Sequence, residues 1–218
     1  MFSTRGRWPR PMAFYLIASI TIIAIGVLAL VWLYNPWIRR PWLPTSEAQD
    51  RARRVVRDAG GRIPLERGRV VVRKAARSLE LFDGDRPIKT YRIALGTNPG
   101  DPKRKEGDGC TPEGAYTVCT KNERSRFHLF LGISYPNVED ADRGLRAGLI
   151  TRAQHRTIAE AIEARRRPPW DTRLGGEIGL HGGGTGSDWT RGCIALSDRD
   201  IEELFLLLDL GAEVVIEP

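Results

Sequence analysis

Cysteine and histidine each occur only three times in the 218 residues, and none falls into a metal-ligand pattern. The sequence has no C-x-x-C and no H-E-x-x-H, and no third ligand stands near His181 and Cys193. These absences argue against a metal site. No internal repeat is visible. The C-terminal two thirds lack an excess of positive charge: residues 78–218 hold 19 Lys and Arg against 23 Asp and Glu, net −4. Residues 1–77 hold 15 against 4, net +11, so the formal charge of +7 belongs to the N-terminal stem. A nucleic-acid-binding domain would carry that charge on its folded part, so nucleic acid is not an expected partner. A hydrophobic content of 41% suits one globular domain with an attachment.

Charge is missing altogether from residues 12–34, an apolar run of 23 residues. As a helix it would extend about 34 Å, enough for one crossing of a bilayer core. Trp8 before it and Trp32, Tyr34, Trp37 and Trp42 at or beyond its end suit interfacial aromatic belts. The alternative is a cleaved signal peptide. The run is longer than the usual apolar core of one, and no A-x-A-like site follows. Arg5, Arg7 and Arg10 precede the run, yet Arg39, Arg40, Arg51, Arg53 and Arg54 follow it, so charge leaves the orientation open. In residues 35–64, Pro36, Pro41, Pro44, Pro64, Gly60 and Gly61 interrupt a helical candidate over residues 46–58. That candidate carries Arg51, Arg53, Arg54 and Arg57. Either a stalk resting on anionic lipid head groups or a solvated linker helix fits this composition.

Residues 65–218 read as strand after strand. Apolar or alternating runs occupy residues 69–74, 78–82, 88–95, 115–120 and 127–134, and D-G-D-R-P after Phe82 marks a hairpin turn. Residues 96–114 form a long Gly- and Pro-rich loop suited to walling a cleft. Residues 140–167 change period and predict one or two exposed helices, either a lid over the site or a surface insertion. Ser197 with Asp200 caps a last helix, whose Ile201, Leu204, Phe205 and Leu208 form one core-facing stripe. Residues 213–217 alternate into a final strand. The expected fold is mainly β, a sandwich or barrel with a few peripheral helices.

The chemistry concentrates in residues 178–196, I-G-L-H-G-G-G-T-G-S-D-W-T-R-G-C-I-A-L. Two short apolar runs, 178–180 and 194–196, bring His181 and Cys193 to one sheet edge, joined by a loop rich in glycine. A free thiol titrates near ~8.5 and needs a neighbouring base to act as a nucleophile, and His181 is the obvious supplier. Gly182, Gly183, Gly184, Gly186 and Gly192 let the backbone approach a substrate and leave amide N–H groups near Cys193 for an oxyanion hole. Asp188 and Trp189 are placed to shape the cleft, Tyr135 reads as a packing residue, and His128 and His155 as surface or packing histidines. Cys110 and Cys119 flank T-P-E-G and one strand; their spacing leaves a disulfide open.

The string H-G-G-G…T-R-G-C-I-A-L resembles the His-Gly…Ser/Thr-x-Gly-Cys signature of the YkuD-type L,D-transpeptidases, bacterial enzymes that remodel peptidoglycan. G-D-G-C-T-P-E-G-A-Y at residues 107–116, I-S-Y-P-N at 133–137 and D-R-D-I-E-E-L at 198–204 support it, and the match covers roughly residues 69–218. The resemblance implies a YkuD-like β-sandwich or barrel with Cys193 as nucleophile and His181 as general base and acid. It also implies a main-chain carbonyl, that of Gly182, orienting the imidazole. Thr190, Arg191 and Gly192, with Gly183, would form the oxyanion and substrate-binding loop, the N–H groups of Gly192 and Cys193 being the donors. Two departures stand out: Thr190 where many members have Ser, and Ala195 where many have Arg. Without that Arg, a substrate carboxylate would have to be held otherwise, and Arg191 is one candidate.

No cofactor is implied. The implied substrates are peptidoglycan stem peptides. The implied products are 3-3 crosslinks or a protein attached to the wall; a murein L,D-carboxypeptidase or endopeptidase and a catalytically dead wall-binding module are the alternatives. Peptidoglycan lies outside the cytoplasmic membrane, which implies residues 1–11 on the cytoplasmic side and a single membrane helix over 12–34. Residues 35–64 would then be a basic stalk, and residues 65–218 a periplasmic catalytic domain.

Overall fold

Alternation of apolar residues sets the sheet. In the computed structural model, which describes residues 23–27 and 42–218, eight strands carry it. They are β1 (Gly68–Arg73), β2 (Ser78–Asp83), β3 (Arg86–Arg92), β4 (Gly114–Ser125), β5 (His128–Ile133), β6 (Gly179–His181), β7 (Ile194–Ala195) and β8 (Glu213–Glu217). Their spatial order is β3-β2-β1-β8-β4-β5-β6-β7. The pairs β1–β8 and β6–β7 are parallel and the others antiparallel.

The two edges of this sheet meet. Just past β3, Ala94 exchanges both backbone hydrogen bonds with Ala195 of β7, at 2.9 and 2.8 Å, and Gly96 bridges Thr190. The sheet is therefore curled on itself, which leaves few unpaired strand groups. Period-2 alternation sends Val70, Val72, Leu79, Leu81, Leu131, Leu180, Ile194, Val214 and Ile216 into one core.

Helix α4 (Asp198–Leu207) starts at Ser197, whose hydroxyl accepts from Asp200 N–H at 3.1 Å. Its stripe Ile201, Leu204, Phe205 and Leu208 is buried in the same core. Helices α2 (Val138–Arg146) and α3 (Arg152–Glu163) each begin with a capping box. They enclose a separate small cluster of Ala141, Ile150, Ile158 and Leu174.

The N-terminal helix α1 (Ser46–Asp58) does not stand apart from the domain. Ala48, Ala52 and Val56, at i, i+4 and i+8, are buried, Ala52 and Val56 in the main core. Arg51 pairs with Glu202 and approaches Glu203 at 3.9 Å. Trp42 N–H donates to Glu123 O at 3.1 Å, and its ring packs edge-on against Phe205 and His128. The unit containing the sheet thus runs Pro41–Pro218, and the part of the expected stalk after residue 41 is packed rather than free. The expected membrane span over 12–34 lies outside the described residues except for 23–27, which are helical and exposed. Among the described residues no helix is long and apolar enough to cross a membrane.

Candidate active site

His181 ends β6 and Cys193 immediately precedes β7. The parallel register sets Leu180 opposite Ile194 and His181 opposite Ala195. Cys193 therefore falls two positions before the residue facing His181, and alternation puts both on the outer face of the sheet. The intervening Leu180 and Ile194 turn inward and are fully buried. Apolar alternation thus fixes the pair: each inward aliphatic residue forces its neighbour outward.

His181 is itself only 2% exposed. Phe127 stacks on its ring at 4.6 Å between centroids, and Trp189 meets it edge-on at 5.4 Å. Its Nδ1 lies 2.6 Å from the carbonyl oxygen of Gly182. A carbonyl only accepts, so Nδ1 carries the proton and donates, leaving Nε2 as the basic nitrogen when the ring is neutral. Burial pushes the imidazole below its ordinary value, with the Gly182 carbonyl opposing. A neutral ring at pH 7 follows.

Cys193 is half-buried, and its Sγ donates to Glu177 O at 3.4 Å. Desolvation pushes the thiol up to about 11; the Gly179 N–H and Lys103 pull it down and Glu177 raises it. At neutral pH the pair is therefore thiol and imidazole rather than thiolate and imidazolium. Both line a cleft of about 420 Å³ walled by Lys103 and Glu106 from the 96–114 loop, Arg126 and Phe127 from the β4–β5 turn, and Gly176, Glu177, Trp189, Thr190 and Arg191. No residue of α2 or α3 lines it, so the helical insertion is not its lid. The 170–177 segment and the 96–114 loop are joined by Glu106 N–H donating to Arg173 O at 3.0 Å.

The loop residues sort differently from the sequence expectation. Thr190 Oγ1 donates to Cys193 O at 2.7 Å and accepts from Gly192 N–H at 3.1 Å. The Gly192 N–H is thereby occupied and is not a free oxyanion donor, while Thr190 braces the turn. Gly192 has φ +125°, and a Cβ there would sit 2.5 Å from Cys110 O, so the position is closed to side chains. Gly183 N–H is likewise taken, by Asp198 Oδ1 at 2.8 Å. Among the described residues Cys193 N–H has no acceptor, and Arg191 is exposed and in no ion pair. Ala195 is wholly buried at the closure of the sheet.

Cys110, Cys119 and Cys193 are all free, so the disulfide between Cys110 and Cys119 is not formed. Cys110 Sγ is engaged by Asn98 Nδ2 at 3.3 Å and Asp108 O at 3.5 Å. Cys119 lies within β4 between Val118 and Thr120, with its thiol pushed up to about 11 by desolvation. Among the described residues no three His, Cys, Asp or Glu side chains gather as metal ligands. Asp188 accepts from Arg77 Nε and Nη2 at 3.0 and 2.8 Å and from Leu95 N–H at 2.8 Å. It ties the 182–192 loop to the sheet instead of facing the cleft. Tyr135 is buried and donates to Leu174 O at 2.9 Å. Phe127, Lys103 and Asp198 were not singled out by sequence reasoning. Only Asp198 had a local signal, an acidic first-turn residue beside a helix cap.

No curated protein matches the chain. Among solved structures, the helical cell shape determining protein Pgp2 from Campylobacter jejuni is 22% identical, with 75% of this chain covering 54% of that one at a TM-score of 0.48. Bd1075 of Bdellovibrio bacteriovorus is 21% identical over 70% of this chain and 48% of its own, TM-score 0.47. An L,D-transpeptidase from Mycobacterium smegmatis is 9% identical over 70% and 59%, TM-score 0.42. The chain thus spans about half the length of the solved structures it matches. The model of the YkuD family, L,D-transpeptidase catalytic domain, matches residues 67–216, more than two thirds of the sequence, and the chain belongs to that family.

Proposed function

We propose that the chain is a cysteine-dependent L,D-transpeptidase acting on peptidoglycan stem peptides. The observation that carries this is the placement of a neutral, carbonyl-oriented imidazole and a thiol on one face of adjacent strands, in one cleft. The Cys193 proton passes to His181 Nε2 as the sulfur attacks the carbonyl at the L-centre of the third residue of a tetrapeptide stem. The tetrahedral oxyanion is held by the Cys193 N–H, a loop donor with no acceptor among the described residues. The C–N bond to D-Ala breaks, and its amine leaves with the proton from Nε2. An acceptor amine then attacks the thioester, gives its proton to Nε2, and the thiol is regenerated as the new amide forms. The product is a 3-3 crosslink, or a protein joined to the wall.

Holding the pair neutral at rest suits this chemistry. A thiol raised by desolvation is mostly protonated at neutral pH, which slows alkylation and oxidation because the thiolate is the reactive form. The remaining parts of the proposal are a single membrane helix over residues 12–34 and an extracytoplasmic catalytic domain. A topology reporter fused after Pro218 that is active only in the cytoplasm would overturn them. For the reaction itself, the full chain in detergent is incubated with disaccharide-tetrapeptide and the products are weighed by mass spectrometry, with Cys193→Ala as control. A crosslinked dimer lost in the variant establishes transpeptidation. Tripeptide plus free D-Ala assigns hydrolysis, and no turnover by either leaves a wall-binding module.

A further inference from the structure

Lys103 is a buried cation that the acyl-transfer steps above do not use. It is 2% exposed, yet it lines the cleft that holds Cys193. It also lines a second cavity of about 110 Å³, beneath α2 against Tyr135 and Leu174. Its Nζ donates to Lys105 O and to Asp108 Oδ1, both at 3.0 Å. An ammonium has three N–H donors, so one remains without an acceptor among the described residues. Asp108 does not consume the charge of Lys103 alone. Its carboxylate also accepts from the backbone N–H of Arg104, Lys105 and Cys110 at 2.7, 2.9 and 3.1 Å. Burial raises the Asp108 carboxyl and these donors more than offset it, for a net fall below the ordinary value. The loop is thus folded around the Asp108 carboxylate, which also holds the Lys103 ammonium in place.

A donor stem peptide presents an anion at a fixed place. Its terminal carboxylate carbon is one residue beyond the scissile carbonyl carbon, about 3.3–3.6 Å away along the chain. Whatever holds that carboxylate must stand beside the sulfur. Position 195 cannot, because Ala195 is wholly buried where the sheet closes. Arg191 and Arg126 are exposed, so their attraction is screened by water and salt. Lys103 combines a place in the cleft wall, burial and a spare donor, and a charge-assisted hydrogen bond from a buried group is the strong kind. We propose that Lys103 is the specificity residue that binds the free terminal carboxylate of the donor peptide, making the site selective for a C-terminal acid over internal peptide bonds.

This rests on the proposed reaction, and its test separates the two. The full chain is assayed with a tetrapeptide donor ending in D-Ala acid and with the same donor ending in D-Ala amide. The wild type is expected to prefer the acid by about 10–100-fold in kcat/KM, the range of a charge-assisted hydrogen bond. Lys103→Met is expected to bring the acid down to the level of the amide, mostly through KM, with the amide little changed. The double variant Lys103→Met/Asp108→Asn, which leaves no carboxylate unpaired, should behave the same way and guards against misfolding of the single variant.

Alkylation of Cys193 by neutral iodoacetamide should change less than about threefold. Equal losses on acid and amide, or an alkylation rate that falls in parallel with turnover, would place the charge on the sulfur and overturn the assignment. If the wild type turns over neither donor, binding to Cys193→Ala measured by calorimetry still decides. Acid-selective binding that Lys103→Met abolishes supports the proposal while the reaction fails, and unselective binding overturns both.

Discussion

Two histidines lie on either side of the β4–β5 turn, and they have been given opposite surroundings. His181, in the cleft, stacks on Phe127 and donates a hydrogen bond from Nδ1–H to a backbone carbonyl. His128, the residue after Phe127, packs against Trp42 on the α1–α4 side, and its Nε2 is 2.9 Å from Glu202 Oε1. A carbonyl orients an imidazole without adding a charge, so a buried ring beside it stays neutral and basic at Nε2. Glu202 instead gives His128 a hydrogen-bond partner inside a cluster of charged side chains. The α1–α4 side adds Arg51, Lys89, Asp200 and Glu203 to the same cluster, which makes it a clasp of opposite charges. The cleft side keeps its acid–base pair uncharged. The same residue type is oriented by a neutral carbonyl in one region and tied to a carboxylate in the other.

Breaking the cleft side should have the largest effects. Cys193→Ala removes the only thiol on the cleft face and should lower turnover by about 10⁴-fold or more, read as loss of product and of covalent acyl-enzyme. His181→Gln keeps a hydrogen-bonding side chain but no proton acceptor of suitable strength, and should cost about 10²–10⁴-fold in kcat. The pH profile tests the cause directly. Burial sets the His181 pKa below its ordinary value, so activity should rise as the ring loses its proton and be already flat above about pH 6.5. The plateau should then extend upward toward the thiol, raised to about 11. A thiolate–imidazolium pair would instead show a bell whose acid limb is the thiol, so iodoacetamide alkylation that is already fast at pH 6 would refute the neutral pair.

These expectations show what was legible in the sequence. The two short apolar runs around the glycine loop were enough to place His181 and Cys193 together, since period-2 alternation fixes which residues face outward. Most strands, the capped α4 and the long loop were readable for the same reason. Phe127 was not, because it reaches His181 from another hairpin and no local pattern announces a stacking partner across strands. The occupied N–H of Gly192 was hidden as well, since T-R-G-C does not say that the Thr190 hydroxyl closes back on its own turn. Closure of the sheet between Ala94 and Ala195 depends on curl summed over eight strands. The packing of α1 did carry a signal, Ala48, Ala52 and Val56 on one face, masked by the arginines on the other.

Asp188 joins the 182–192 loop to the sheet, and its loss should act on stability before activity. Burial raises its carboxyl, and the Arg77 guanidinium and Leu95 N–H outweigh that, for a net depression. A depressed carboxylate contributes stability above its unfolded pKa of about 3.9, and the contribution is lost as pH falls through the lower folded value. Asp188→Asn should therefore cost about 1–3 kcal/mol at pH 7, or roughly 2–12 °C in Tm. The difference from wild type should shrink below pH 4; one that stays constant down to pH 3 would mean the charge of Asp188 is not what binds Arg77.

The smallest effect is expected on the clasp side, and it is the most informative about independence. Glu202 holds Arg51 and His128, but both contacts are partly open to water, where such pairs are worth about 0–1 kcal/mol. Glu202→Gln should lower Tm by no more than about 4 °C and leave the acylation rate of Cys193 unchanged. The opposite outcome has a structural route: His128 adjoins Phe127, Phe127 stacks on His181, and a loosened turn would let the stack slip. If Glu202→Gln slowed acylation while Tm barely moved, the clasp would be a support of the base rather than a separate tie. Trp42→Ala, which touches His128 from the α1 side, should then slow acylation in the same way.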